Sequence, residues 1–219
     1  MNKKVMFALA VLVLVAMACL CPVTAATTQT PAGGSGQQIL FQDDFSNVNS
    51  GWDRTNNDSY VTDYANGGYR IYVIPAPYFT FGNPYKTFQN DVRIEVDATK
   101  TAGPDNNAFG VQCHYQDIKN YYFFYISSDG YALIGMDKAG SQSTISASPQ
   151  NVSSIKQGAA TNHIRADCIG SALTLYVNGT QVANATDSSF SGGDVGLTAA
   201  SFDTGGVDIL FENFFVYKP

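Results

Sequence analysis

The sequence is poor in basic side chains. Its 219 residues include 12 Lys and Arg against 18 Asp and Glu, so the formal net charge at neutral pH is −6. Nucleic-acid binding rests on clustered Lys and Arg that neutralise phosphates, and no such cluster follows the N-terminal segment. The composition therefore argues against a nucleic-acid partner, and equally against binding to anionic lipid surfaces.

Motifs with a defined chemistry are also missing. There is no Cys-x-x-Cys, no closely spaced His pair and no Gly-x-Ser-x-Gly, which argues against the common zinc patterns and against the nucleophile elbow of serine hydrolases. Calcium stays open, because hard cations take oxygen ligands. A structural calcium site would have to be assembled from aspartates in or beside separate turns, namely Asp43, Asp44, Asp117, Asp129, Asp187 and Asp203.

The N-terminal residues have the pattern of an export signal followed by a linker. A short basic segment precedes the apolar residues 5–18, which favours a signal peptide over residues 1–25. Alternatively, the four residues ending at Cys19 (AMAC) resemble a bacterial lipobox, so that the signal would end before Cys19 and a lipid on that cysteine would anchor the protein to a membrane. An uncleaved anchor is a third alternative. Residues 26–38 are predicted to be a flexible Thr/Gly/Pro linker. We therefore expect an extracytoplasmic protein, either secreted or a cell-envelope lipoprotein.

Residues 39–219 are predicted to form one all-β domain. Short segments rich in Val, Ile, Tyr and Phe alternate with Gly, Asn, Asp and Ser clusters, and Asn178-Gly179 is typical of a type I′ hairpin. Hairpin-linked strands with little helix favour a two-sheet antiparallel jelly-roll sandwich, with residues 146–162 as a long loop. The predicted strands span 39–45, 69–73, 78–82, 91–99, 107–116, 121–127, 132–137, 163–169, 172–177, 180–186, 194–200 and 207–217.

Cys113 and Cys168 are the two cysteines that follow the N-terminal segment. Each lies in an apolar alternation, so both side chains are predicted to point into the core. In an exported protein such a pair favours a disulfide, and two buried free thiols are the alternative. The same alternation predicts that Gln112 and His114 point away from the core.

Five segments of the domain, taken in order, carry a family resemblance. They are 43–52 (DDFSNVNSGW), 93–100 (RIEVDATK), 109–136 (FGVQCHYQDIKNYYFFYISSDGYALIGM), 163–199 (HIRADCIGSALTLYVNGTQVANATDSSFSGGDVGLTA) and 211–217 (FENFFVY). They resemble the concanavalin A-like lectin/glucanase superfamily, and most of all the laminin G-like and 3-keto-disaccharide-hydrolase-like domains of bacterial exported proteins and lipoproteins. The resemblance implies a sandwich in which the first and last strands pair and the concave face of a curved sheet binds the ligand. It leaves the activity open, because lectins, hydrolases and adhesion modules share this fold.

Two carboxylates are spaced as a glycosidase would require. Such enzymes hold two carboxyl groups about 5–5.5 Å or about 6.5–9.5 Å apart, and Glu95 and Asp97 point to one side of a predicted strand at about 6–7 Å. This Glu-x-Asp resembles the core of the family-16 glucanases, but the further glutamate that those enzymes carry downstream is missing here. Glu95, Asp97 and His114 are therefore catalytic candidates only under the alternative that the protein is a hydrolase.

Aromatic residues are the most abundant candidates for ligand binding. Sugars are held by aromatic faces and by polar side chains that pair with their hydroxyls, and the sequence has 13 Tyr and 14 Phe. In residues 121–125 (YYFFY), alternation requires that one set of rings faces away from the core. The predicted ligand-binding residues, on one concave platform, are Gln112, His114, Tyr122, Phe124, Arg165 and Tyr176.

The function predicted from these features is a carbohydrate-binding or adhesion module without catalysis. Its partner would be a polysaccharide or a cell-surface glycan, and a lipid on Cys19 would add attachment to a membrane. One alternative is a hydrolase that acts on a glycoside or a keto-disaccharide. The other is a structural envelope protein with no small ligand.

Overall fold

A computed structural model describes residues 37–147 and 150–219. The predicted signal peptide, the predicted lipid-anchor residue Cys19 and nearly all of the predicted linker lie outside these ranges. In the described residues the chain forms strands and turns without helix, so none of them provides a helix that could cross a membrane. The strands are β1 (Ile39–Asp43), β2 (Thr55–Asn56), β3 (Tyr60–Ala65), β4 (Gly68–Val73), β5 (Tyr78–Gly82), β6 (Val92–Ala102), β7 (Asn107–Asp117), β8 (Asn120–Ile126), β9 (Tyr131–Lys138), β10 (Ser141–Thr144), β11 (Gln150–Asn151), β12 (Thr161–Ile169), β13 (Ala172–Val177), β14 (Thr180–Thr186), β15 (Asp194–Ser201) and β16 (Val207–Tyr217).

These strands make two antiparallel sheets that pack face to face. The larger, sheet A, has the order β14-β13-β12-β6-β16-β4-β3-β2, with β1 also paired to β16. The smaller, sheet B, has the order β10-β9-β8-β7-β15-β5, with β11 also paired to β9. The prediction of a two-sheet sandwich is confirmed, and so is the pairing of the first and last strands, since Phe41 lies opposite Val216.

The core lies between the sheets and follows the period-two alternation of the strands. In β6 the side chains of Val92, Ile94, Val96 and Ala98 are all buried, whereas the charged residues between them are only partly buried. A strand with one face on a core and one toward solvent shows this pattern. Glu95 and Asp97 therefore lie on one side of β6, as predicted, and that side faces away from the core.

A disulfide between Cys113 and Cys168 crosses the core. It joins β7 of sheet B to β12 of sheet A, with the two Cα atoms 6.8 Å apart. Both half-cystines are fully buried, as their alternation predicted. The alternative of two free thiols is excluded in this structure.

Four short strands were missed by the sequence reasoning. β3 carries a polar residue on each side, Thr62 and Asp63, so its sequence shows no apolar alternation, and β2 and β11 are only two residues long. β10 has an exposed polar pattern throughout. The loop predicted over residues 146–162 contains β11, and its last two residues belong to β12, which begins at Thr161.

The alternation predicted along β7 fails at His114. The register of β7 with β8 shifts between Cys113 and Asp117, and His114 has a left-handed backbone with φ of 49°. Such a bulge turns the following side chains to the other face. His114 is consequently buried, with its ring centroid 6.0 Å from that of the core residue Tyr122. Tyr115 instead lies against Phe81 on the outer side.

Candidate functional site

The face of sheet B that points away from sheet A carries a line of aromatic rings. Along β8 the core takes Tyr122 and Phe124, which are fully buried, and the opposite face takes Tyr121, Phe123 and Tyr125. The prediction that Tyr122 and Phe124 form an outward platform was therefore wrong. The reason is register: Tyr122 lies opposite Cys113, and cross-strand partners share a face.

The outward rings form a continuous belt across sheet B. Phe123 and Tyr125 stack with centroids 4.6 Å apart, and Tyr121 is 6.2 Å from Phe123. Tyr115 lies 5.7 Å from Tyr121 and 5.3 Å from Phe81, which continues the belt to β5. Aromatic pairs at these distances stabilise one another, so each ring helps to hold its neighbour in place.

Small residues separate the two sides of this belt. In one row across the sheet, Thr198 lies opposite both Phe81 and Gly110, and Gly110 lies opposite Tyr125. In the next row Ala200 lies opposite both Phe79 and Ala108. Because strands are about 4.8 Å apart, the backbones that carry the rings of β5 and β8 are roughly 14 Å apart. We call this feature the aromatic groove: its walls are Phe79, Phe81, Phe123 and Tyr125, and its floor is Ala108, Gly110, Thr198 and Ala200. The floor residues are buried, and Tyr125 lies across them with its hydroxyl 3.2 Å from Thr198 Oγ1.

Two cavities share residues with the aromatic groove. The first, of about 510 Å³, contains Ala108 and Tyr125 and is bordered by Tyr131 and Phe202, which are 46% and 45% exposed. Its polar groups include Asp129. Exposed rings next to hydrogen-bonding side chains suit a ligand with both apolar and hydroxyl surface.

The second cavity, of about 500 Å³, contains the wall residues Phe79 and Phe81. It is also bordered by Tyr85, which is 71% exposed, and by Asp53. The Asp53 carboxylate accepts hydrogen bonds from the Tyr85 hydroxyl and from the backbone N–H of Asn83, the latter at 2.8 Å. The hydrogen bond to Asp53, followed by burial, raises the pKa of Tyr85 to about 12. This tyrosine therefore keeps its proton as a hydrogen-bond donor.

Gln112 lies beside the floor of the aromatic groove, opposite both Phe123 and Gly196. It points away from the core, as predicted, but it is fully buried, and neither heteroatom of its side-chain amide has a hydrogen-bond partner among the described residues. A Cβ on Gly196 would lie 2.6 Å from Asn83 Nδ2 and 3.1 Å from Gln112 Oε1. Glycine at 196 therefore leaves space for the amide of Gln112. A buried amide without partners costs about 1–3 kcal/mol.

The catalytic candidates Glu95 and Asp97 lie on the opposite side of the molecule, on the outer face of sheet A. The histidine beside them is His163, not His114: its Nδ1 is 2.8 Å from Asp97 Oδ1 and its Nε2 is 3.6 Å from Glu95 Oε2. Hydrogen bonding of the imidazole N–H groups to the carboxylates of Asp97 and Glu95 raises the pKa of His163 to about 9. Burial opposes ionisation of Asp97, yet hydrogen bonds from His163 and Asn213 leave its pKa below the usual value. A glycosidase acid needs a raised pKa, and the lowered pKa of Asp97 does not fit that role. The His163 ring and the two carboxylates instead form an ion-pair cluster.

Arg165 and Tyr176 also lie on sheet A, and the guanidinium of Arg165 sits 4.3 Å from the centroid of the Tyr176 ring. Arg165 donates hydrogen bonds to Asp167, which Arg93 also contacts. The prediction of one platform that joins Tyr176 to the residues of β7 and β8 was therefore wrong, because the two sets lie on different sheets.

The six aspartates proposed for calcium are spread over separate turns. Asp117 accepts the backbone N–H of Lys119, and Asp187 accepts that of Ser189, which is the usual role of aspartate in a turn. In residues 37–147 and 150–219 no three His, Cys, Asp or Glu side chains are grouped as metal ligands. Calcium binding stays a prediction.

Solved structures with this architecture were found by comparison. The chain superposes on a carbohydrate-binding module, CBM66 of Bacillus subtilis, with a TM-score of 0.61 and 20% identity over 77% of this chain and 96% of the module. The chain has the concanavalin-like sandwich fold. A B. subtilis protein of unknown function with a galectin-like fold gives a TM-score of 0.62 at 8% identity, over 82% of this chain and 96% of that one.

A xylan β-1,4-xylosidase of Bacillus halodurans gives a TM-score of 0.59 at 13% identity, over 81% of this chain but only 39% of the enzyme. No family model and no curated protein matches the sequence. The laminin G-like assignment therefore stays a prediction, whereas the sandwich fold is established.

Proposed function

We propose that this protein binds a carbohydrate in the aromatic groove of sheet B. The observation that carries the proposal is the buried side-chain amide of Gln112, which has no partner among the described residues and lies opposite the wall residue Phe123. Sugar hydroxyls both donate and accept hydrogen bonds, so one hydroxyl pair would satisfy both heteroatoms of the amide once the side chains that cover Gln112 move aside. The C–H faces of the sugar would pack against the walls.

We propose binding without catalysis, because the two catalytic candidates are engaged elsewhere. Burial does raise the pKa of Asp194 to about 6, and this carboxyl group accepts the backbone N–H of Lys86 at 3.0 Å, next to Tyr85 of the second cavity, so Asp194→Asn is the variant that would test for hydrolysis. The carboxylates of Glu95 and Asp97 are paired with His163 on the other sheet, remote from the groove in the fold. A hydrolase would need an acid with a raised pKa next to the bound sugar. The similarity to a carbohydrate-binding module is consistent with this proposal, although at 20% identity it carries the fold alone.

We also propose that the protein works outside the cytoplasm, as a secreted protein or an envelope lipoprotein. The N-terminal pattern and the buried disulfide support this location, because disulfides persist in oxidising compartments. Mass spectrometry of the protein from its host would test it. A mature N-terminus at residue 26 indicates secretion, an acylated Cys19 indicates a lipoprotein, and an intact Met1 in the cytoplasmic fraction contradicts both.

The experiment that tests carbohydrate binding is a glycan-array and polysaccharide pull-down screen with the purified full-length chain, with and without calcium. Phe79→Ala removes a partly exposed wall ring, and Gln112→Ala removes the amide. Tyr176→Ala, on the outer face of sheet A, is the matched control. Loss of the hydrogen bonds of Gln112 should weaken binding by roughly 5- to 150-fold.

The control variant should bind like the wild type. Binding that survives both groove substitutions, or that is lost in Tyr176→Ala, would contradict the proposed site. Absence of binding to every glycan would favour the structural alternative.

A further inference from the structure

A second polar cleft lies at the end of the sandwich where β7 passes its bulge. It has a volume of about 290 Å³ and is bordered by His114, by residues 89–91, by Gly170, by Ser188 and by residues 190–192. Its side chains include Gln89, Asn90, Asp91, Ser188 and Ser191, all of which carry hydrogen-bonding groups. None of these residues belongs to the aromatic groove. We call this feature the His114 cleft.

His114 brings an unsatisfied acceptor to this cleft. Its Nδ1 is 3.2 Å from the backbone carbonyl oxygen of Phe190. A carbonyl can only accept, so Nδ1 carries the proton and Nε2 of the neutral ring holds a free lone pair. Nε2 is buried and has no hydrogen-bond partner among the described residues. The side chain as a whole is 2% exposed, and its burial lowers the pKa, which favours the neutral ring.

The loops around His114 are held in place by contacts on every side. The hydroxyl of Tyr122 donates to Asp187 Oδ1 at 2.6 Å and accepts the backbone N–H of Phe190 at 3.1 Å. Phe88 and Gly193 exchange two backbone hydrogen bonds of 2.8 Å, which closes the loop that carries residues 89–91.

The disulfide stabilises the same region. Cys113 precedes His114 directly, and Cys168 lies two residues before Gly170, whose N–H donates to Asp91 at 2.8 Å. A cleft held by such contacts is formed before any ligand arrives, which lowers the entropy that binding must offset.

We propose that the His114 cleft is a second binding site, which takes one neutral, polyhydroxylated molecule of the size of a monosaccharide. One ligand hydroxyl would donate to His114 Nε2, and others would pair with Asp91, Ser188 and Ser191. The neutral ring and the nearby Asp91 carboxylate disfavour an anionic ligand, because neither supplies a positive charge. The volume lies at the lower limit for ligand pockets. This site is independent of the aromatic groove, and either proposal can fail without the other.

The protein provides its own internal control, because His114 and His163 are its only histidines. We would label the full-length protein with ¹⁵N-histidine and titrate it with glucose, galactose, mannose, fructose, xylose and glycerol, each separately. The proposal expects at least one of these probes to shift the Nε2 resonance of His114 saturably. The resonances of His163, which lies on sheet A, should stay in place.

A variant of the cleft that leaves the imidazole intact completes the test. Ser191→Ala should raise the dissociation constant of the active probe by about 2- to 12-fold, as expected for one lost hydrogen bond. Ser153→Ala, an exposed serine outside the cleft, should leave the constant unchanged. The proposal is overturned if no probe moves His114, if both histidines respond alike, or if Zn²⁺ shifts His114 where the sugars do not.

Discussion

The disulfide between the sheets gives the most quantitative prediction. Replacing both Cys113 and Cys168 by Ala removes a cross-link between residues 55 apart in sequence. The chain-entropy relation for a closed loop of about this length gives a loss of about 4 kcal/mol in the free energy of unfolding. The substitutions also remove the two buried sulfur atoms from the core, so the measured loss of unfolding free energy should be at least as large as the loop-closure value.

Urea unfolding followed by the fluorescence of Trp52 would measure the loss. Trp52 is the single tryptophan and is buried in the core, so its emission should report the loss of packing. With a slope of about 2 kcal/mol per M, the midpoint should fall by about 2 M. Chemically reduced wild-type protein separates the two contributions, because it keeps the sulfur atoms and loses only the cross-link. A loss below about 1 kcal/mol in both samples would refute the reasoning.

Three further substitutions test the packing and electrostatics. Trp52→Phe removes the indole N–H that donates to the buried Asp43 at 2.9 Å, and should lower the free energy of unfolding by about 1.5–3 kcal/mol in urea titrations followed by circular dichroism, since this variant lacks the fluorescent reporter. Gly135→Ala places a Cβ 2.2 Å from the Phe123 ring, and should lower the melting temperature through a cost of about 1–3 kcal/mol. His163 has a pKa raised from 6.5 to about 9, so its contribution to stability is complete below pH 6.5 and is lost as the pH rises to about 9. In His163→Gln, this loss of unfolding free energy between pH 6.5 and about 9 should disappear. An unchanged pH dependence of the unfolding free energy in the variant would contradict the ion pair.

Local sequence patterns were sufficient to predict twelve of the sixteen described strands and most inward faces. Asn178-Gly179 forms the turn between β13 and β14, because both positions need a left-handed backbone that these residues accept. Cys113 and Cys168 were placed in the core by alternation, and a pair of inward cysteines on two sheets can meet across it.

The site was predicted less well, because its residues depend on which strands are neighbours. The rings of β8 were assigned to the wrong face, although Cys113 already pointed inward and its hairpin partner Tyr122 therefore had to follow. That signal was present in the sequence, since a short turn joins β7 to β8. The shift at His114 was not, because nothing in residues 113–117 indicates a bulge. The row of small residues that forms the groove floor comes from β7 and β15, which are about 90 positions apart and become neighbours only in the folded sheet.

The sequence by itself determined the class of fold, the inward position of Cys113 and Cys168, and most of the alternation of buried and exposed side chains. These follow from period-two hydrophobicity and turn chemistry, which act between residues close in the chain. Only the tertiary structure decided that Gln112 lies beside an aromatic groove, that His163 rather than His114 joins Glu95 and Asp97, and that Tyr176 faces the opposite side. Strand order and register are set by the packing of the whole domain, and a shift of one residue moves a side chain from one face of a sheet to the other.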